Sequence, residues 1–169
     1  MATTAQIERK AWQQLREHEL DVTPVNVAAL AEALDLDVAF EDMEDAVSAM
    51  LSVEDKNANI VVNAGHPENR QRFSIAHEIG HFMLHVSEDE HLFVDRAFYR
   101  DQASSVGESR QEIEANAYAA ALLMPARLIE EALPDELDTE LYFDDLAEKF
   151  EVSERAMTIR LIKLGYLDP

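Results

Sequence analysis

The stretch Phe73-Ser74-Ile75-Ala76-His77-Glu78-Ile79-Gly80-His81-Phe82-Met83-Leu84-His85 decides how this chain is read. Apolar residues surround His77, Glu78 and His81, which makes the segment a largely buried helix. On a helix, residues i and i+4 lie about 40° apart around the axis and roughly 6 Å apart, so both imidazoles can reach one cation. Glu78 falls one position further on, where it can contact a water on that cation without being a ligand itself. A divalent ion acidifies such a water, and Glu78 can take its proton and pass it to a leaving amine. Burying two histidines and a glutamate is expensive unless something pairs with them. Gly80 gives up about 1 kcal/mol of helix propensity relative to Ala, which a close-approaching backbone or substrate would explain. The plainer alternative is a pair of satisfied core histidines.

A catalytic zinc site takes three protein ligands and keeps a fourth position open. The chain has no cysteine, and the position ten residues after His77 is Ser87, so the extended three-histidine pattern fails. The third donor is sought instead in the helix Arg110-Gln111-Glu112-Ile113-Glu114-Ala115-Asn116-Ala117-Tyr118 and onward to Pro125. Glu112 shares a face with Ala115, Asn116 and Ala119, and small alanines let that face press against the His77 helix. Asn116, one turn on, can hydrogen-bond a ligand imidazole. Glu114 shares its face with the bulkier Tyr118. Glu112 is therefore preferred, with Glu114 as the competitor.

These two segments, in this order and at this separation, resemble the ImmA/IrrE family of zinc metallopeptidases. The resemblance is strongest over residues 69–125 and weaker upstream. It implies a compact zincin-like α+β fold and a Zn2+ held by two His and one Glu. It also implies limited proteolysis of a helix-turn-helix repressor, which releases a gene programme. Carried over by position, His77, His81 and Glu112 match the family's ligands, and Glu78 matches its catalytic glutamate. No residue stands out as an oxyanion stabiliser. His85 can contact substrate or a ligand, against the plainer reading of a histidine packed on the sheet; Tyr99, Tyr118 and Arg72 are weaker candidates.

Working outward, residues 7–20 have the rhythm of an amphipathic helix, with Trp12, Leu15 and Leu20 toward a core. Thr23-Pro24 reads as the start of a second helix, Thr23 as its N-cap. Val38 to Phe40 is β-prone, and Val47 to Val53 alternates as a half-buried strand. A turn at Asp55-Lys56-Asn57 then leads into the strand Asn59 to Val62, a hairpin. Residues 87–109 read mainly as a loop in which Leu92-Phe93-Val94 can add an edge strand. Pro125 ends the Glu112 helix, a short helix covers Arg127 to Leu133, and Pro134 to Glu140 is an acidic linker. Two short helices follow, capped by Ser153 and stopped by Gly165. The expected architecture is a small antiparallel sheet packed on helices. A peptidase core over residues 1–134 carries a helix-turn-helix-like extension over 135–169.

The charge balance narrows the partners. Among 169 residues, 14 Lys+Arg stand against 35 Asp+Glu, a formal net charge of −21. That field repels nucleic-acid phosphate and attracts a basic macromolecule, although a host that makes acidic proteins would explain it equally. Residues 130–154 hold eleven acidic side chains and a single basic one, Lys149. Arg155, Arg160 and Lys163 make a thin phosphate footprint beside them, so direct DNA binding is disfavoured. The lack of cysteine, of a membrane-length apolar run and of a secretory leader points to a cytoplasmic protein. The expectation is a zinc endopeptidase acting on a basic helix-turn-helix repressor. Its rivals are a non-catalytic protein that sequesters a repressor or toxin, and a DNA-binding regulator.

Overall fold

The computed structural model describes residues 2–54, 57–86, 91–96, 110–133 and 141–168, the backbone alone at 91–96 and 141–143. The chain runs α1 (Thr4–Glu17), α2 (Val27–Ala33), β1 (Leu36–Glu41), β2 (Val47–Glu54), β3 (Asn57–Asn63), α3 (Glu68–His85), β4 (His91–Arg96), α4 (Arg110–Leu123), α5 (Ala126–Ala132), α6 (Leu141–Phe150) and α7 (Glu154–Leu164). The expected turn at Asp55-Lys56, the acidic linker 134–140 and Tyr99 lie outside the described residues.

α1 starts earlier than its apolar rhythm alone indicates, because Thr3 and Gln6 form a reciprocal capping box. Ile7, Ala11 and Leu15, spaced four apart, form its buried stripe, while half-buried Trp12 carries the Arg127 guanidinium 5.4 Å above its ring. The start of α2 differs from the expectation. Its N-cap is Asn26, whose Oδ1 accepts from the Ala29 N–H at 3.0 Å, and Thr23-Pro24 lies in the turn before it. Both residue pairs are legitimate caps, and the burial of Val25 and Val27 selects the later one.

The sheet order is β1-β3-β2-β4. β2 pairs antiparallel with β3, and β4 joins the other side of β2 antiparallel, so the Leu92-Phe93-Val94 edge strand is present. β1 departs from the all-antiparallel expectation. The chain returns through β2, so β3 runs in the direction of β1 and pairs with it in parallel, Val38 opposite Ile60. Alternation places Ala49, Leu51 and Val53 of β2 and Ala58, Ile60 and Val62 of β3 on one buried face. α3 lies across that face, and its residues 74–81 are all buried.

One contiguous core collects Leu15 of α1, Leu30 of α2, Ile79 of α3, Leu122 of α4, Ile129 of α5, Phe150 of α6 and Leu161 of α7. The last two helices have the expected caps: Ser153 Oγ accepts from the Ala156 N–H, and Gly165 is left-handed at φ +82°. Arg160 of α7 points inward at 4% exposure. Its Nε donates to the Met124 carbonyl at 2.9 Å, and both terminal nitrogens meet the Glu8 carboxylate of α1, with Nη2–Oε2 at 2.8 Å. One of the three basic residues of the phosphate footprint considered from the sequence is thereby committed to the interior. Among the described residues, no helix is long and apolar enough to cross a membrane.

Candidate metal centre

α3 and α4 meet at Gly80. A Cβ built there would stand 3.1 Å from both the Cα and the carbonyl oxygen of Ala115, and 3.2 Å from Tyr118 Cβ. The missing side chain is what lets the two helix backbones approach, and it accounts for a glycine inside a buried helix. The contact also aligns the first turn of α4 with the turn of α3 that carries both imidazoles.

At that crossing the Nε2 atoms of His77 and His81 lie 3.0 Å apart. Glu112 presents one oxygen to each, Oε2 at 3.2 Å from His77 Nε2 and Oε1 at 3.2 Å from His81 Nε2. Both imidazoles are 2% exposed and the carboxylate 34%, so the two nitrogens are enclosed by protein while Glu112 is partly open. Among the described residues these three are the one group placed to hold a metal ion.

Proton placement shows why an ion fits. With both Nε2 atoms protonated, each donates to Glu112, but two donors then face each other at 3.0 Å. With one proton removed, a bare nitrogen faces a carboxylate oxygen. No arrangement makes all three contacts favourable, whereas a cation among the three atoms makes all of them attractive. The spacing agrees, since ligands about 2.1 Å from a tetrahedral zinc stand about 3.4 Å from one another. Hydrogen bonds from His77 and then His81 hold the Glu112 carboxyl well below its ordinary range, against the opposing effect of burial. The group is thus an anion wherever the protein is folded near neutrality.

Glu78 follows His77 on α3 and is fully buried at 0% exposure. Glu114 is turned elsewhere: its Oε1 is 3.2 Å from Arg110 Nε, and its Oε2 is 4.0 Å from His85 Nε2. Asn116 is half-buried one turn beyond Glu112. It makes no bond to His77, whose Nδ1 has no hydrogen-bond partner among the described residues. Arg72 is engaged by the Val25 carbonyl and Glu151. Tyr118 is wholly buried, with its hydroxyl unpartnered among the described residues, and burial pushes its phenol up.

His85 Nε2 lies 3.1 Å from the Gln111 carbonyl oxygen of α4, so its polar partner is on the helix that carries Glu112. Desolvation, then the neighbouring His81, hold its imidazole below the ordinary histidine value. The available signal was the spacing of His77, His81 and His85, which puts all three on one side of α3.

Comparison with known proteins bears on this site. The family model for peptidase M78, described as the IrrE N-terminal-like domain, matches residues 31–161. Over 97 residues, 57% of this chain, the sequence is 36% identical to the radiation response metalloprotease IrrE of Deinococcus radiodurans, covering 28% of that protein's length. Over 122 residues, 72% of this chain, it is 25% identical to the uncharacterized immunity region protein 2 of Bacillus phage phi105, covering 70% of it. The chain thus spans little more than a quarter of the IrrE metalloprotease it matches.

Proposed function

The chain belongs to the M78 peptidase family, the IrrE N-terminal-like group, and we propose that it is a zinc-dependent endopeptidase that cuts a helix-turn-helix repressor at a limited site in the cytoplasm. The observation that carries this reading is the convergence of His77 Nε2, His81 Nε2 and the two Glu112 oxygens on one point, 3.0 to 3.2 Å apart. In this reading His77, His81 and Glu112 hold Zn2+. Bound there, the ion supplies Lewis acidity toward a peptide carbonyl and acidifies water.

The remaining work falls to side chains. The Glu78 carboxylate accepts a proton from the attacking water as its oxygen bonds to the carbonyl carbon. It then hands that proton to the amide nitrogen as the C–N bond breaks, leaving a carboxyl and an amine. Burial of Glu78 keeps bulk water from competing for that proton between the two halves. Asn116 lies within a turn of Glu112 and is available to contact substrate.

The substrate class is argued from charge. A net charge of −21 steers a basic DNA-binding protein toward the chain and raises its encounter rate more than its affinity. The inward-turned Arg160 and the acidic run before α7 speak against the chain reading DNA itself.

The test pairs Glu78→Gln with the native protein, each loaded with zinc and incubated with small repressors encoded beside the gene. The expected result is one discrete cut by the native protein, none by Glu78→Gln, and equal zinc content in both. A Glu78→Gln protein that still cuts would overturn the role given to Glu78, and one that relieves repression without cutting would replace the enzyme with a sequestering protein.

A further inference from the structure

α3 carries a third imidazole that the cluster above does not use. The His85 ring centroid is 5.4 Å from that of His81, and its side chain is only 6% exposed. Its Nε2 faces the main-chain carbonyl oxygen of Gln111 at 3.1 Å. A carbonyl only accepts, so this nitrogen carries the hydrogen and donates it. Gln111 is the second residue of α4 and the direct neighbour of Glu112.

The location matters because the first turn of a helix is its least constrained part, with main-chain N–H groups that no intrahelical carbonyl satisfies. Glu112 sits in that turn, yet it must bring two oxygens within 3.2 Å of two separate nitrogens. The Gly80 contact fixes α4 at Ala115, one turn further along. The His85 bond supplies a second point on the other side of Glu112, between the same two helices. With both in place, the backbone carrying Glu112 can neither slide along α3 nor swing away from it.

We propose that His85 is a positioning residue for the metal centre: by donating from Nε2 to the Gln111 carbonyl, it holds the first turn of α4 where Glu112 completes the set formed with His77 and His81. The inference rests on the reading of those three residues as metal ligands. His85 acts on the ion only through the placement of Glu112.

The test measures the zinc dissociation constant by competition with a chromogenic chelator, together with the visible spectrum of the cobalt-loaded protein. It uses the native chain, His85→Phe, His85→Gln, Glu112→Ala and the double variant His85→Phe/Glu112→Ala. His85→Phe keeps the ring volume but loses the donor, and its zinc binding weakens about tenfold or more. His85→Gln keeps an N–H at the same reach and stays within about threefold of native, with the native cobalt spectrum. The double variant binds no more weakly than Glu112→Ala alone, since nothing remains for His85 to position. Native affinity in His85→Phe, failure of Gln to rescue, or a full further loss in the Glu112→Ala background would each overturn the proposal. If His85→Phe does not fold, His85→Leu takes its place as the variant without the donor: zinc binding weakened about tenfold supports the proposal and native affinity overturns it. A native chain that binds no zinc defeats the metal-centre reading itself, an outcome distinct from all of these.

Discussion

Two buried polar clusters in this molecule are put together on opposite principles. Around Arg160, donors meet acceptors: the Met124 carbonyl takes Nε at 2.9 Å and the Glu8 carboxylate takes the two terminal nitrogens. Nothing from outside is needed. Around His77, His81 and Glu112, lone-pair-bearing atoms converge, and no distribution of protons suits all three contacts at once. The first cluster ties α7 to α1; the second has the form that a cation would complete. Burial alone does not separate them, but the match of donors to acceptors does.

That contrast breaks most visibly at Arg160. Arg160→Met strands the Glu8 carboxylate and the Met124 carbonyl, and the expected loss of folding stability is about 3 kcal/mol, at the low end for a buried pair because Glu8 is partly exposed. Urea titration measures it, and zinc content per folded chain should stay native. A variant that kept its stability but lost zinc would invert the assignment of the two clusters.

Gly80→Ala probes the crossing itself. A methyl group 3.1 Å from the Ala115 backbone forces the helices apart. Overpacking of about 1–3 kcal/mol is offset by about 1 kcal/mol of helix propensity, for a net loss of about 1 kcal/mol. Zinc affinity should fall along with it, because Glu112 rides on the displaced helix; thermal melts and chelator competition read the two effects separately. Tyr118→Phe has the smallest effect and the opposite sign. It deletes a buried hydroxyl with no partner among the described residues, so stability should be unchanged or rise by up to about 1 kcal/mol. A loss above that size would reveal a partner for the hydroxyl.

Acidification sharpens the comparison from the side of the carboxylate. In the metal-free protein the Glu112 carboxyl is held below its ordinary 4.5 by His77 and His81. A carboxyl depressed by folding contributes stability above its unfolded value and loses it as pH falls through the folded one. The native chain should therefore lose stability relative to Glu112→Gln as the pH is lowered below 4.5. Parallel curves for the two proteins would mean that the imidazole–carboxylate contacts do not form in solution.

Local periodicity made much of this legible. The buried α3, the alanine face that favours Glu112 over Glu114, the hairpin and the caps of α7 all follow from residues within a turn or two of one another. What stayed hidden depends on distant partners. The Arg160–Glu8 pair joins residues 152 positions apart, and the parallel pairing of β1 depends on where β3 returns. The spacing within α3 puts His85 on the side of His77 and His81, but its partner, the Gln111 carbonyl, is on another helix and no local pattern names it. At α2 two good caps stood three residues apart, and local sequence could not choose between Thr23 and Asn26.

The central claim is that one divalent ion is held by His77, His81 and Glu112. Its most direct test is the zinc content of the folded chain, by mass spectrometry after equilibrium dialysis against buffered zinc, for the native protein, Glu112→Ala and Glu114→Ala. One zinc per chain in the native protein and in Glu114→Ala, with a marked loss in Glu112→Ala, is the predicted result. Full zinc in Glu112→Ala, or its loss in Glu114→Ala, would contradict the account.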